Sequence, residues 1–312
     1  MIDETAYCHA AAVVSSDAEL FGTATTYVQA GVDAGDLVII AGAPAFAGAL
    51  IDGFASADHV VADDRIRLNG HRAPDVIGAA VEISRRAAAE GRRVRLLTQV
   101  DQPDDPRAVH EFACFESATN LMSTAVPASV LCLFDDRRLA ASVLATAQQT
   151  HPFLLGPSGR RRSDAYADPR ELVRRLPLPR EPLQDGVPTL AVDDAPTLAG
   201  LRRTLRAELA RLVPDGDQRE DLHLGLSEMA ANAFRHGARP VSARIWAAPD
   251  RLVCTISDHG PGVAPIAGYW PAHGEDLGRG GMGLWLARKL FDHVDLFRDG
   301  DTTTVRLATV LR

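Results

Sequence analysis

GLSEMAANAFRHG, residues 225–237, is the stretch on which the reading of this chain turns. Glu228, Asn232 and His236 follow one another at i, i+4 steps, so on a helix they share one face, with Arg235 beside them. Leu224, Leu226, Met229, Ala230 and Phe234 are expected to cover the rest. A carboxylate and an amide on a largely buried helix are costly unless something pairs with them. The stripe is therefore either solvated surface or the wall of a site for a polar ligand.

Two flanking stretches bear on that choice. RLVCTIS reads as a strand and runs into DHGPG, Asp258 to Gly262. Glycines at alternate positions after an acidic strand end let backbone approach a flat ligand closely, leaving the carboxylate to accept a hydrogen bond from an amino group. The same residues also make an ordinary tight turn. GRGGMGLWLARKLFDHV, Gly278 to Val294, runs from a glycine cluster into an amphipathic helix, an arrangement that suits phosphates through exposed N–H groups and the helix dipole. Gly278, Gly280 and Gly283 fit G-x-G-x-x-G, but the preceding VAPIAGYWPAHGEDL is a loop and not the strand a dinucleotide fingerprint requires.

Composition bounds the alternatives. The 312 residues are 46% hydrophobic, enough for two packed cores. With 33 basic against 41 acidic residues the net charge is -8, which argues against a sequence-blind nucleic-acid binder. MIDETAYCHA lacks a signal-peptide layout, no apolar run approaches membrane-spanning length, and the four cysteines show no metal or disulfide spacing. A cytoplasmic protein with reduced thiols is expected.

RLPLPREPLQDGVP, 175–188, has the composition of an extended linker, so the expected division is 1–175, a linker 176–188, and 189–312. Before it, apolar strands at Leu37–Ala41, His59–Val61, Val94–Thr98 and Val130–Phe134 alternate with helical stretches, which predicts an α/β domain with a parallel sheet. Lys289 is the sole lysine and is followed by leucine, so there is no P-loop. After the linker, Pro196–Val213 carries Leu198, Leu201, Leu205, Leu209 and Leu212 on one face. That face either covers the sheet or contributes to a homodimer or partner surface.

CHAAAVVSSDAELFGTATTYVQAGVDAGDLVIIAG and VLCLFDDRRLAASVLATAQQTHPFLLG together resemble the MEDS, or methanogen/methylotroph sensory, domain over most of residues 5–157. The resemblance implies a RecA/KaiC-like fold that has lost its nucleotide loop, and an unknown small-molecule ligand. His9, Asp135 and His151 at strand ends are the implied pocket residues.

Glu228 and Asn232, then Asp258-x-Gly260-x-Gly262, then Gly278–Gly283, resemble in that order the N, G1 and G2 boxes of the GHKL (Bergerat-fold) ATPases, an α+β two-layer sandwich. E-x-x-x-N-A-x-x-H-G, here Glu228, Asn232, Ala233, His236 and Gly237, is closest to the anti-sigma-factor serine/threonine kinases, and TTTVRL at 302–307 resembles their closing strand. The resemblance implies Mg²⁺ on Asn232 and the adenine amino group on Asp258, with Gly260, Gly262 and Thr303 beside the base. It implies triphosphate on Gly278, Arg279, Gly280, Gly281 and Gly283, and Glu228 as general base. Val263–Leu277 would be the ATP lid, with Tyr269 and Trp270 exposed. The implied function is a sensor-regulated ATP-dependent protein serine/threonine kinase whose partners are an anti-anti-sigma factor and a sigma factor. A non-catalytic ATP-dependent partner switch is the alternative. A sensor histidine kinase is disfavoured, because the one helix between linker and stripe helix contains no histidine.

Overall fold

The computed structural model describes residues 8–122, 128–156, 158–270 and 282–312. The chain divides into two compact units, Met1–Leu176 and Pro177–Arg312. Among the described residues no helix is long and apolar enough to cross a membrane.

The first unit is built on a seven-stranded sheet. Its strands are β1 (Cys8–Val14), β2 (Leu37–Ala41), β3 (Val60–Ala62), β4 (Val94–Gln99), β5 (Ala128–Asp135), β6 (Phe153–Gly156) and β7 (Gly159–Arg162), in the order β3-β2-β4-β5-β1-β6-β7. The ladders are parallel throughout except for β7, which returns antiparallel on β6, so the sheet is mixed rather than wholly parallel. Its α-helices among the described residues are α1 (Asp17–Ala34), α2 (Pro44–Gly53), α3 (Ala73–Ala89), α4 (Pro106–Thr119), α5 (Ala141–Thr150) and α6 (Pro169–Arg175). Strand β1 was not expected, because its alanines carry little strand propensity. It lies between β5 and β6 with Ala10, Ala11 and Ala12 buried, where small side chains suit a strand packed inside the sheet. Ser16 caps α1 by accepting from Glu19 N, and Gly35 ends it at φ 73, a left-handed turn that glycine adopts without steric cost.

The second unit has an antiparallel sheet of β8 (Leu190–Val192), β9 (Ser242–Ala248), β10 (Arg251–Asp258), β11 (His293–Asp299) and β12 (Thr302–Val310), in the order β11-β12-β10-β9-β8. Helices α7 (Leu198–Leu212), α8 (Gly216–His236) and α9 (Met282–Leu290) belong to the same unit. Thr197 and Asp215 cap α7 and α8 through Gly200 N and Gln218 N. Leu201, Leu205 and Leu209 of α7 join Leu222, Leu226, Met229 and Ala230 of α8 and Ile245, Cys254 and Leu307 of the sheet in one core. The leucine face of α7 thus covers the second unit's own core. Leu224, expected on the covered side of α8, is 45% exposed.

The proline-rich stretch read as linker packs on the second unit. Arg306 donates to Pro179 O at 2.8 Å, Trp246 Nε1 to Gly186 O at 3.0 Å, and Arg251 pairs with the buried Glu181 at 2.7 Å. The packing side chains are arginines and a tryptophan on β9, β10 and β12, contributed from far along the chain, so local composition could not report them.

Candidate functional site

Helix α8 carries the polar stripe along its length, with Glu228 and Asn232 half-buried and His236, its last residue, exposed. Opposite them stands the first turn of α9. A Cβ on Gly283 would lie 3.1 Å from Asn232 Nδ2 and 3.2 Å from Glu228 Oε2, so the stripe abuts the N-terminal end of a second helix. One turn earlier on α8, a Cβ on Gly225 would come within 2.7 Å of Phe291, which follows α9. Close packing at Gly225 fixes α9 so that its first turn meets the carboxylate and the amide.

Asp258 ends β10 and pairs in register with Thr303 of β12. Gly260 N donates to Asp258 Oδ1 at 2.6 Å, and Thr303 Oγ1 donates to Gly260 O at 3.1 Å. A Cβ on Gly260 would sit 2.5 Å from Gly237 Cα, and one on Gly237 would overlap the Asp258 carboxyl. Gly262 has φ +71 and lies against Thr303. His259 N donates to Ala238 O at 2.8 Å, tying this loop to the end of α8. Asp258, Gly260, Gly262 and Thr303 therefore form one cluster, as do Glu228, Asn232 and Gly283. Gly237, the end of the helix motif, had no expected part in the site. Its place against Asp258 shows why the helix ends in glycine, and the His-Gly ending of the motif was the available signal.

The loop after Gly262 is held at its base by Arg288 of α9, 5% exposed. The guanidinium donates to Pro265 O at 2.8 Å, Ala267 O at 2.9 Å and Val294 O at 3.0 Å, and stacks over the Tyr269 ring at 4.2 Å. Tyr269 is only 1% exposed, which corrects the expectation of an exposed lid aromatic. Arginine stacking anchors the ring, and both partners lose water together. Gly278, Arg279, Gly280, Gly281 and the lid beyond 270 lie outside the described residues.

The first unit holds a cavity of about 350 Å³ lined by His9, Arg67, Phe112, Glu116, Val130 and Cys132 among others. That volume is of small-molecule size. His9 lines it, and His151 lies behind His9 with ring centroids 4.0 Å apart. Burial, with His9 beside it, pushes the His151 imidazole well below its ordinary pKa, so it is neutral. Asp135 does not line the cavity. Arg137 engages both of its oxygens, at 2.8 and 2.7 Å, and holds the carboxyl below its usual range.

Two family matches agree with this architecture. Residues 191–309 match the histidine kinase-like ATPase domain, and residues 8–152 match the MEDS (methanogen/methylotroph, DcmR sensory) domain. The serine-protein kinase RsbW of Bacillus subtilis is 32% identical over 106 residues, which is 30% of this chain and 66%, just under two thirds, of that relative. The serine-protein kinase RsbW of Bacillus velezensis is 31% identical over 115 residues, 33% of this chain and 72% of the relative. The chain belongs to the family of histidine kinase-like ATPases related to the RsbW serine-protein kinases, with a MEDS domain on its N-terminal side.

Proposed function

We propose that the chain is an ATP-dependent protein serine/threonine kinase of the anti-sigma-factor type, acting in the cytoplasm and regulated by a small molecule bound in its first unit. The observation that carries the reading is the pairing of Glu228 and Asn232 against the first turn of α9, within one unit that also holds the Asp258–Thr303 cluster. Mg-ATP fits this donor set. Gly237 and Gly260 let backbone pack against the Asp258 carboxyl where a Cβ would collide, Gly283 brings the start of α9 against Asn232 and Glu228, and the Asn232 amide offers a hard oxygen suited to Mg²⁺. When bound, Mg²⁺ neutralises phosphate charge.

Each residue then has a role its chemistry suits. Asp258 accepts a hydrogen bond from the adenine amino group, with its carboxyl fixed by the Gly260 N–H. Gly260 and Gly262 let the base lie against backbone, with Thr303 beneath. Gly283 and the N–H groups at the start of α9, with Gly278, Arg279, Gly280 and Gly281, receive the phosphates. Glu228 takes the proton from the incoming serine or threonine hydroxyl, a service contributing about 10²–10⁴-fold in rate. The acceptor is an anti-anti-sigma protein, and a sigma factor is the sequestered client. The RecA/KaiC-like reading of the first unit is supported by β1 running through Ser15 and Ser16 straight into α1 with no lysine at that turn. The ligand of this unit is assigned to the 350 Å³ cavity.

Calorimetric titration of Mg-ATP and Mg-GTP into the full chain and into Asn232→Ala tests the nucleotide site. ATP alone should bind, about tenfold or more weaker to the variant. A chain that binds no adenine nucleotide overturns the proposal. A non-catalytic, ATP-dependent partner switch is the reading to adopt if ATP binds and no phosphate is transferred.

A further inference from the structure

Four side chains from separate parts of the first unit converge at one buried point: His9 of β1, Glu116 of α4, Cys132 of β5, and His151 directly after α5. Their ligand-capable atoms all lie within 4.8 Å of one another. None of the four residues is more than 4% exposed.

The surrounding hydrogen bonds fix which nitrogen of each ring faces the cluster. Asn120 Nδ2 donates to Glu116 O at 3.0 Å and to Thr150 O at 2.7 Å, so its amide oxygen is the atom facing His9 Nδ1 at 3.2 Å. An amide oxygen only accepts, so His9 Nδ1 is the donor in that contact and Nε2 is the ring atom left for the cluster. His151 Nδ1 faces Ala147 O at 3.0 Å by the same logic, which leaves its Nε2 for the cluster. The two Nε2 atoms point inward. His151 Nε2 lies 3.3 Å and His9 Nε2 3.4 Å from Glu116 Oε2, and His9 Nε2 also lies 3.4 Å from Cys132 Sγ. Among the described residues, neither Glu116 Oε2 nor His151 Nε2 has a hydrogen-bond partner. Glu116 Oε2 and His151 Nε2 thus sit unsatisfied in a dry site beside a thiol and a second imidazole, an arrangement whose cost a cation between them would relieve.

We propose that these four residues bind one divalent transition-metal ion, with Zn²⁺ the first candidate. A tetrahedral ion with bonds of about 2.0–2.3 Å holds its ligand atoms about 3.3–3.7 Å apart. The contacts of 3.3 and 3.4 Å already have that spacing. Two imidazoles, one thiolate and one carboxylate balance a double charge, which suits burial. On binding, the Cys132 S–H bond breaks, a sulfur–metal bond forms and the proton leaves to solvent. Asn120 and Ala147 are the outer partners that orient the two rings. His9, Glu116 and Cys132 also line the 350 Å³ cavity, so the ion forms part of its wall, where a small molecule with a sulfur, nitrogen or oxygen donor would meet it. The proposal is independent of the kinase reading.

The test uses the full chain, stripped with a chelator and titrated with Zn²⁺ against a chromophoric competitor, and separately with Co²⁺ followed by absorption. One equivalent should bind, and Co²⁺ should give the strong visible bands of a tetrahedral site with a near-ultraviolet thiolate band. Cys132→Ser should remove the thiolate band. Asn120→Ala, which leaves all four ligands in place, should weaken binding about 10–100-fold. Cys254→Ser, in the other unit, should change nothing. Circular dichroism of each variant separates lost binding from lost folding. Absence of a stoichiometric ion in the folded wild type overturns the proposal, as does unchanged affinity in folded Cys132→Ser and Asn120→Ala.

Discussion

The two polar clusters of this chain are built in opposite ways. The cluster of the first unit is closed and dry: it is made of residues 9, 116, 132 and 151, and none of these residues is more than 4% exposed. The site of the second unit is open: Glu228 and Asn232 are half-buried on one helix, and much of the rest is glycine backbone. A closed cluster of this kind holds something small and charged. The open one is the site proposed to take a flat, extended nucleotide and an incoming protein hydroxyl.

That difference also explains what was legible in the sequence. The second site is written locally: Glu228 and Asn232 one turn apart, Asp258, Gly260 and Gly262 in one turn, and Gly283 at a helix start. Each motif reflects the geometry of a single element, so order and spacing carry the chemistry. The cluster of the first unit was invisible, because its members are separated by up to 142 positions, from His9 to His151, and meet only through the β5-β1-β6 sheet order. His9 and His151 drew notice singly and through a family resemblance, while Glu116 and Cys132 read as ordinary helix and strand residues. Apart from the short α6, the helices of both units were legible from the sequence pattern. Strand β1 was not, because alanine is neutral in pattern and the strand is defined by its neighbours. Tyr269 read as exposed because Arg288, the residue that covers it, lies across an intervening stretch of chain.

Glu228→Gln should lower phosphoryl transfer by about 10²–10⁴-fold while leaving ATP affinity within a few fold, measured by transfer kinetics beside calorimetry. Equal transfer by variant and wild type would remove the general base from the open site. Leu205→Ala, at a fully buried position of the core behind α8, should cost about 2–5 kcal/mol in denaturant unfolding without touching any site residue. Arg288→Ala should loosen the 265–269 loop, seen as faster amide exchange there, because two of its carbonyls lose a charged donor worth about 1.5–3 kcal/mol per bond. The smallest effect should come from Thr303→Val, which removes the hydroxyl bonded to Gly260 O and should weaken ATP by about 1 kcal/mol.

Acidification sharpens the picture at Asp135. Its carboxyl is held below the ordinary value by Arg137, so the pair stabilises the fold at neutral pH. That contribution is lost as pH falls through the depressed folded-state pKa, below about 3.9. Arg137→Ala should flatten the acid limb of the stability curve, read from thermal melts at stepped pH.

The central claim, that the open site transfers phosphate, is tested most directly by incubating the full chain with [γ-³²P]ATP, Mg²⁺ and an anti-anti-sigma protein, wild type beside Glu228→Gln. The account predicts acid-stable label on a serine or threonine of the partner with wild type, and loss of at least about 10²-fold of that rate with the variant. Label appearing equally with both proteins, or none with a wild type that demonstrably binds ATP and the partner, would contradict it.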